Sequence, residues 1–173
     1  MIIEPLIDIR SGKAKFITAP YAMESGYNRS DEACTLNADN DWDTIIEFLN
    51  EYKGSPKTLR SYTSEMERFI SWLIYEKKIP ISAIKRSHAA DYMEFLKNPE
   101  PQIWCGHRAN KFKKDGRINK DWFPFSYSKE DLCGLADATT RRSRKILDSY
   151  FKYLVDNNYL YGNPLIAKRT KGQ

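Results

Sequence analysis

A chain of 173 residues with 41% hydrophobic and 13% aromatic side chains has enough material for one domain with a real core. Its mean hydropathy of −0.66, with no apolar run of about 18 residues, excludes a membrane-spanning helix. The net charge of +5 hides an asymmetry: residues 1–50 carry 4 Lys/Arg against 9 Asp/Glu, and residues 51–173 carry 24 against 14. A nucleic-acid footprint is therefore expected in the second part, the bland alternative being a solvated basic face. Glu4 and Asp8 interrupt the only apolar stretch near the start, so no secretory signal is read and a cytoplasmic protein is expected.

Residues 1–38 show no sustained period and are punctuated by Gly12, Pro20 and Gly26, which predicts a flexible or peripherally packed arm. The run Asp39-Asn40-Asp41 is an N-cap cluster for a helix with Trp42, Ile45, Ile46, Phe48 and Leu49 on its apolar face, ending near Gly54. Ser55 and Pro56 open a second helix reaching Lys77. Its apolar stripe, Leu59, Tyr62, Met66, Phe69, Ile70, Leu73 and Ile74, follows the 3,4 spacing. Lys57, Arg60, Ser61, Ser64 and Arg68 fall on the opposite side. Pro80 ends the element, a short turn follows, and Ser87 starts a helix with Ala90, Tyr92, Met93, Phe95 and Leu96.

Residues 98–137 are irregular and basic, with Lys111, Lys113, Lys114, Arg117 and Lys120; Trp104, Trp122, Phe123 and Phe125 predict that this insert packs on the body. The last long helix begins near Thr139, with Ile146, Leu147, Tyr150, Phe151 and Leu154 as its core stripe. It places Arg141, Arg142, Arg144 and Lys145 within about its first two turns. A helix start already carries partial positive charge, so bases there point to a bound anion, and a repeating anion means a phosphate backbone. Tyr159 and Leu160 are expected to fold back, and Asn163-Pro164 forbids continuation. The overall expectation is an all-α domain of four or five helices over 39–166, with 167–173 starting a linker.

Chemistry of other kinds is poorly supplied. Three cysteines, Cys34, Cys105 and Cys133, are odd in number and widely spaced, so no disulfide framework is implied. Cys105, His107 and His88 do not form zinc-ligand pairs at recognisable spacing. No Gly-rich phosphate loop, HExxH pair or serine elbow occurs, and two histidines give little to a nucleophilic system. No catalytic residue, metal or other cofactor, membrane contact or small-molecule substrate is expected.

Three segments then match in order: SPKTLRSYTSEMERFISWL, ISAIKRSHAADYMEFL and ATTRRSRKILDSYFKYLVDNNYLYGNP. The pattern S-x-x-T-x-x-x-Y leading to F-x-x-W-L, then Y-x-x-F-L, then F-x-Y-L and a closing Asn-Pro, resembles the N-terminal core-binding domain of tyrosine recombinases of the phage-integrase type. The resemblance implies a SAM-like bundle forming half of a clamp around double-stranded DNA, with a long aromatic-rich insert before the last helix. It implies DNA contacts from Lys57, Thr58, Arg60, Ser61, Ser64 and Arg68 on one helix. The other helix would contribute Thr139, Thr140, Arg141, Arg142 and Lys145. In that family a separate domain carries the Arg, Lys, His, Arg and Tyr catalytic groups. No stretch here matches it, so this chain is expected to cleave no DNA, and the intact recombinase to assemble as a homo-oligomer, up to a tetramer, on its site. The rival reading is a helical protein–protein interaction module with a basic surface. Salt separates the two, because only phosphate binding releases condensed counterions.

Overall fold

A computed structural model describes residues 2–166, and the linker expected over 167–173 lies outside them. Helices α1 (Asp43–Asn50), α2 (Pro56–Trp72), α3 (Arg86–Lys97), the single turn α4 (Pro101–Trp104) and α5 (Asp137–Asp156) make up most of the regular structure. The chain is nevertheless not strictly all-α. β1 (Ile7–Asp8) pairs antiparallel with β2 (Lys15–Phe16), and β3 (Cys105–Gly106) pairs parallel with β4 (Phe125–Ser126). Two-residue strands carry no alternation long enough to read in a sequence, so periodicity gives no sign of either pair.

Local chemistry sets the helix limits. Asn40 caps α1, its Oδ1 accepting the backbone N–H groups of Trp42 at 2.9 Å and Asp43 at 3.2 Å. Pro56 takes the first position of α2, where its missing N–H costs nothing. After Trp72 the helix widens into a π-helical turn, Leu73–Lys77. It stops at Lys78, whose left-handed conformation (φ 56°) lets its N–H reach the Leu73 carbonyl. The end therefore comes before Pro80. α3 starts at Arg86, ahead of Ser87, because His88 Nδ1 reaches back to accept the Lys85 N–H at 2.9 Å.

The core is aromatic and joins all the long helices. Phe69 of α2 meets Tyr92 of α3 with ring centres 5.0 Å apart and Phe151 of α5 at 6.0 Å. Phe48 of α1 packs on Tyr62, Tyr150 and Tyr153. Leu59, Met66, Trp72, Leu96, Ile146, Leu147 and Leu154 are buried as their spacing predicts, and Tyr62 and Phe95 are partly buried. Rings in this offset and edge-to-face geometry add to the area they bury.

The segment expected as a flexible or peripherally packed arm contributes Ile3, Ile7 and Ala14 to this core, while Tyr21 and Tyr27 stay exposed. Ile3 and Ile7 are 2% and 0% exposed. Asn50 at the end of α1 exchanges two hydrogen bonds with the backbone of Ala14. Further along, Ser30 N–H donates to the Tyr159 carbonyl and Tyr161 N–H to that of Asn28, so residues 28–30 pair with residues 159–161. Tyr159 and Leu160 fold back and are buried, and Arg29 stacks over the Tyr159 ring at 3.8 Å.

A buried carboxylate ties these parts together. Asp41, 2% exposed, accepts hydrogen bonds from the Ser82 N–H (2.7 Å), the Ser82 hydroxyl (2.6 Å) and the Tyr159 hydroxyl (2.6 Å). Burial pushes the Tyr159 phenol far above its ordinary pKa, so it stays a donor.

The insert is clasped at its ends. Cys105 of β3 and Cys133 form a disulfide, with Cα atoms 6.1 Å apart across a sequence separation of 28. The spacing of the cysteines implies no disulfide framework, because spacing alone cannot show that the β3–β4 pairing returns the chain to Cys105. At Gly134 (φ +99°) a Cβ would collide with the Lys97 carbonyl oxygen, so only glycine lets the chain pass the end of α3 into α5.

Two outcomes follow for stability. Phe151→Ala, which empties a fully buried site, is expected to cost about 3–5 kcal/mol in a denaturant titration. Reduction of the disulfide, or Cys133→Ser, is expected to cost about 3 kcal/mol by releasing the closed loop. A melting temperature unchanged by reductant would show that the clasp contributes nothing.

Candidate nucleic-acid interface

On α2 the expected contact residues divide by depth. Lys57, Arg60 and Ser64 are exposed, and Thr58 and Ser61 are half-buried. Their spacing places Lys57, Arg60, Ser61 and Ser64 on one helical stripe. Arg68 lies further along the same stripe but turns inward. Its side chain is 16% exposed and pairs at 3.2 Å with Glu65, whose own side chain is 1% exposed. The guanidinium also lies 5.5 Å from the centre of the Phe125 ring. Arg68 is thus the counter-charge of a buried carboxylate, not an outward contact, because an unpaired buried Glu65 would be far costlier than the removal of a surface charge. Glu65 also accepts the Tyr92 hydroxyl at 2.9 Å. Burial, reinforced by that carboxylate, raises the Tyr92 phenol well above its ordinary pKa.

On α5 the start is earlier than expected. The helix begins at Asp137, an acid in the first turn that pairs with Lys97 at 3.2 Å. Arg141, Arg142 and Lys145 therefore occupy the second and third turns, where the helix-end field has largely faded. The expectation that these bases stand within the first two turns, at the helix start, is corrected accordingly. Thr140 is also corrected: it is 6% exposed and its hydroxyl donates to the Ala136 carbonyl, so it faces the core. Thr139 is half-buried. Arg144 pairs with Asp148 and donates to the Leu165 carbonyl at 2.8 Å, and Lys152 pairs with Asp156. Arg141, Arg142 and Lys145 are exposed and make no ion pair among the described residues. Lys57 and Arg60 are the same in both respects.

The two basic helix starts are not side by side. Tyr62, in the second turn of α2, packs on Phe48, which in turn packs on Tyr153 near the far end of α5. The start of α5 sits at the end of α3, where Leu135 N–H donates to the Leu96 carbonyl at 2.8 Å. From Arg141 to Tyr153 the helix rises about 18 Å at 1.5 Å per residue. A groove of about 370 Å³ is lined by Ser64 and Arg68 of α2, Leu135 ahead of α5, and Lys111, Trp122 and Phe123 of the insert.

The groove exposes what the residue pattern missed. Glu67 of α2, its side chain 4% exposed, pairs with Lys111 at 2.7 Å and accepts the backbone N–H groups of Leu6 (2.7 Å) and Ile7 (2.8 Å). Lys111 donates in turn to the Ile7 carbonyl. A residue expected to be one more base of a basic loop is thus structural. For Glu65 a signal existed: it sits three residues after Tyr62 and four before Phe69, on the apolar stripe. Glu67, eight residues after Leu59 and three before Ile70, also falls on that stripe, but its partners come from remote segments that spacing does not show. Among the described residues no group of three or more His, Cys, Asp or Glu is placed to hold a metal ion, and no helix is long and apolar enough to cross a membrane.

Lys111→Ala leaves Glu67 buried without its counter-charge. It is expected to cost about 3 kcal/mol, against almost nothing for Lys57→Ala, which removes an exposed and unpaired charge. Equal losses in parallel denaturant titrations would show that the Glu67 pair does not anchor the insert. Searches of protein-family models, curated proteins and solved structures find no match to this chain.

Proposed function

We propose that this chain is a duplex-DNA-binding module of the kind that forms one half of the clamp in tyrosine recombinases, without cleavage chemistry of its own. One observation carries the reading: Lys57 and Arg60 on α2 and Arg141, Arg142 and Lys145 on α5 are exposed cations without an ion-pair partner among the described residues. Unpaired cations along helices suit phosphate contact, which positions a protein on DNA, while hydroxyls such as Thr58, Ser61, Ser64 and Thr139 suit the polar contacts beside them. The paired bases Arg68 and Arg144 and the buried Thr140 are left out of the surface. In the intact recombinase, self-association on DNA would bring several such modules to one site.

Replacing Arg141, Arg142 and Lys145 together with alanine tests the reading. The melting temperature should hardly change, since the three side chains are exposed and lie beyond the first turn. Affinity for a mixed-sequence duplex should fall, and the log–log dependence on salt should flatten by about 0.9 for each phosphate no longer neutralised. Unchanged affinity and slope would remove this face from the interface. Binding to a protein partner that is insensitive to salt, with none to duplex DNA, would favour an interaction module in its place.

A further inference from the structure

The insert contains a β-hairpin over 111–119 that none of the expected contacts uses. Phe112 and Ile118 form an antiparallel bridge. Lys113 N–H donates to the Arg117 carbonyl at 2.7 Å, and Asn119 N–H to that of Lys111 at 2.9 Å. The reversal is completed by Gly116 (φ +88°), whose N–H donates to the Lys113 carbonyl. Lys113, Lys114 and Arg117 stand exposed at the tip, and Lys120 is exposed just past the second arm.

We infer that this hairpin is a second duplex-contacting element, in which Lys113, Lys114 and Lys120 reach a phosphate backbone beyond the part of DNA met by the α2 stripe. The inference rests on the DNA reading above and adds a surface to it.

Three observations support it. First, the hairpin is mounted rigidly. Lys111 is held by Glu67 at its base, and the Arg10 guanidinium lies 3.5 Å from the centre of the Phe112 ring while donating to the Gly116 carbonyl at 3.2 Å. Charges on such a mount lose little freedom on binding, whereas a merely solubilising loop has no need of it. Second, the charge at the tip is uncompensated. The one acid within the hairpin, Asp115, is already taken by Arg117 at 2.7 Å, which leaves Lys113 and Lys114 without an ion pair among the described residues. Third, the hairpin lies beside the α2 stripe: Lys111 and Trp122 line the same groove as Ser64, which is one turn from Arg60 and Ser61. A two-stranded ribbon beside a basic helix lengthens the track that a duplex can follow.

The test compares the whole chain with the variant Lys113→Ala, Lys114→Ala, Lys120→Ala on a mixed-sequence duplex at several salt concentrations, with hydroxyl-radical footprints and melting curves for both. The expected result is an unchanged melting temperature, a salt slope shallower by up to about 0.9 for each phosphate released, and a footprint shortened at one edge. If the parent chain binds, the α5 triple variant is weakened and the hairpin variant keeps its full slope and footprint, the hairpin inference is overturned while the DNA reading stands. If the parent chain shows no salt-dependent binding, the DNA reading falls and takes the hairpin with it. Should the triple variant melt early, the same comparison with Lys113→Gln, Lys114→Gln decides between these results.

Discussion

The buried carboxylate of Glu67 is the constraint on which the arrangement of this protein most depends. A charge nearly enclosed by the fold is tolerated only when it is paired and hydrogen-bonded, and Glu67 meets both needs from two remote segments. The backbone N–H groups of Leu6 and Ile7 fix the β1–β2 hairpin against α2, and Lys111 fixes the insert against the same point. One side chain in the middle of a helix thereby decides where the first residues and the basic hairpin stand. Two residues earlier, Glu65 holds Arg68 and Tyr92 in a similar way and joins α2 to α3. The stripe of α2 that faces solvent is limited by these inward-turning charges.

Asp41 does comparable work on the other side of the bundle. Its three hydrogen bonds join the start of α1 to the 3-10 turn Ile81–Ala83 and to Tyr159 beyond α5, while Thr44 in the next turn bonds Tyr150 at 2.7 Å. Both networks occupy the boundary of an aromatic core, where low polarity strengthens each bond and raises the cost of any missing partner. A fold that uses polar anchors in this way gains definition of its segments more than net stability, because burying the charges offsets much of what pairing returns.

This division of labour clarifies the basic surface. The positive charge of residues 51–173 is not all available to a partner. Arg68, Lys111 and Arg144 are committed to internal carboxylates or carbonyls. What remains is a set of exposed cations on α2, α5 and the 111–119 hairpin. The spread suits an extended polyanion better than a small anionic ligand, for which converging charges in one pocket would be needed.

The sequence by itself determined the helices and their inner faces. The 3,4 spacing of Leu59, Met66, Phe69 and Ile70, and of Ile146, Leu147, Tyr150, Phe151 and Leu154, fixes which sides are buried, because helical periodicity is a local property. Asn40 and Pro56 marked helix starts for the same reason, whereas α5 ends at Asp156, ahead of Asn163-Pro164. The sequence also showed which half of the chain is basic. Only the tertiary structure decided which bases are free: Arg68 and Lys111 read like Arg60 and Lys113 until the burial of Glu65 and Glu67 claims them. It alone turned Thr140 inward, moved the start of α5 to Asp137, closed Cys105 on Cys133 and placed Ile3, Ile7 and Ala14 in the core. Each of these depends on partners distant along the chain, and no local pattern of residues encodes which distant groups will meet.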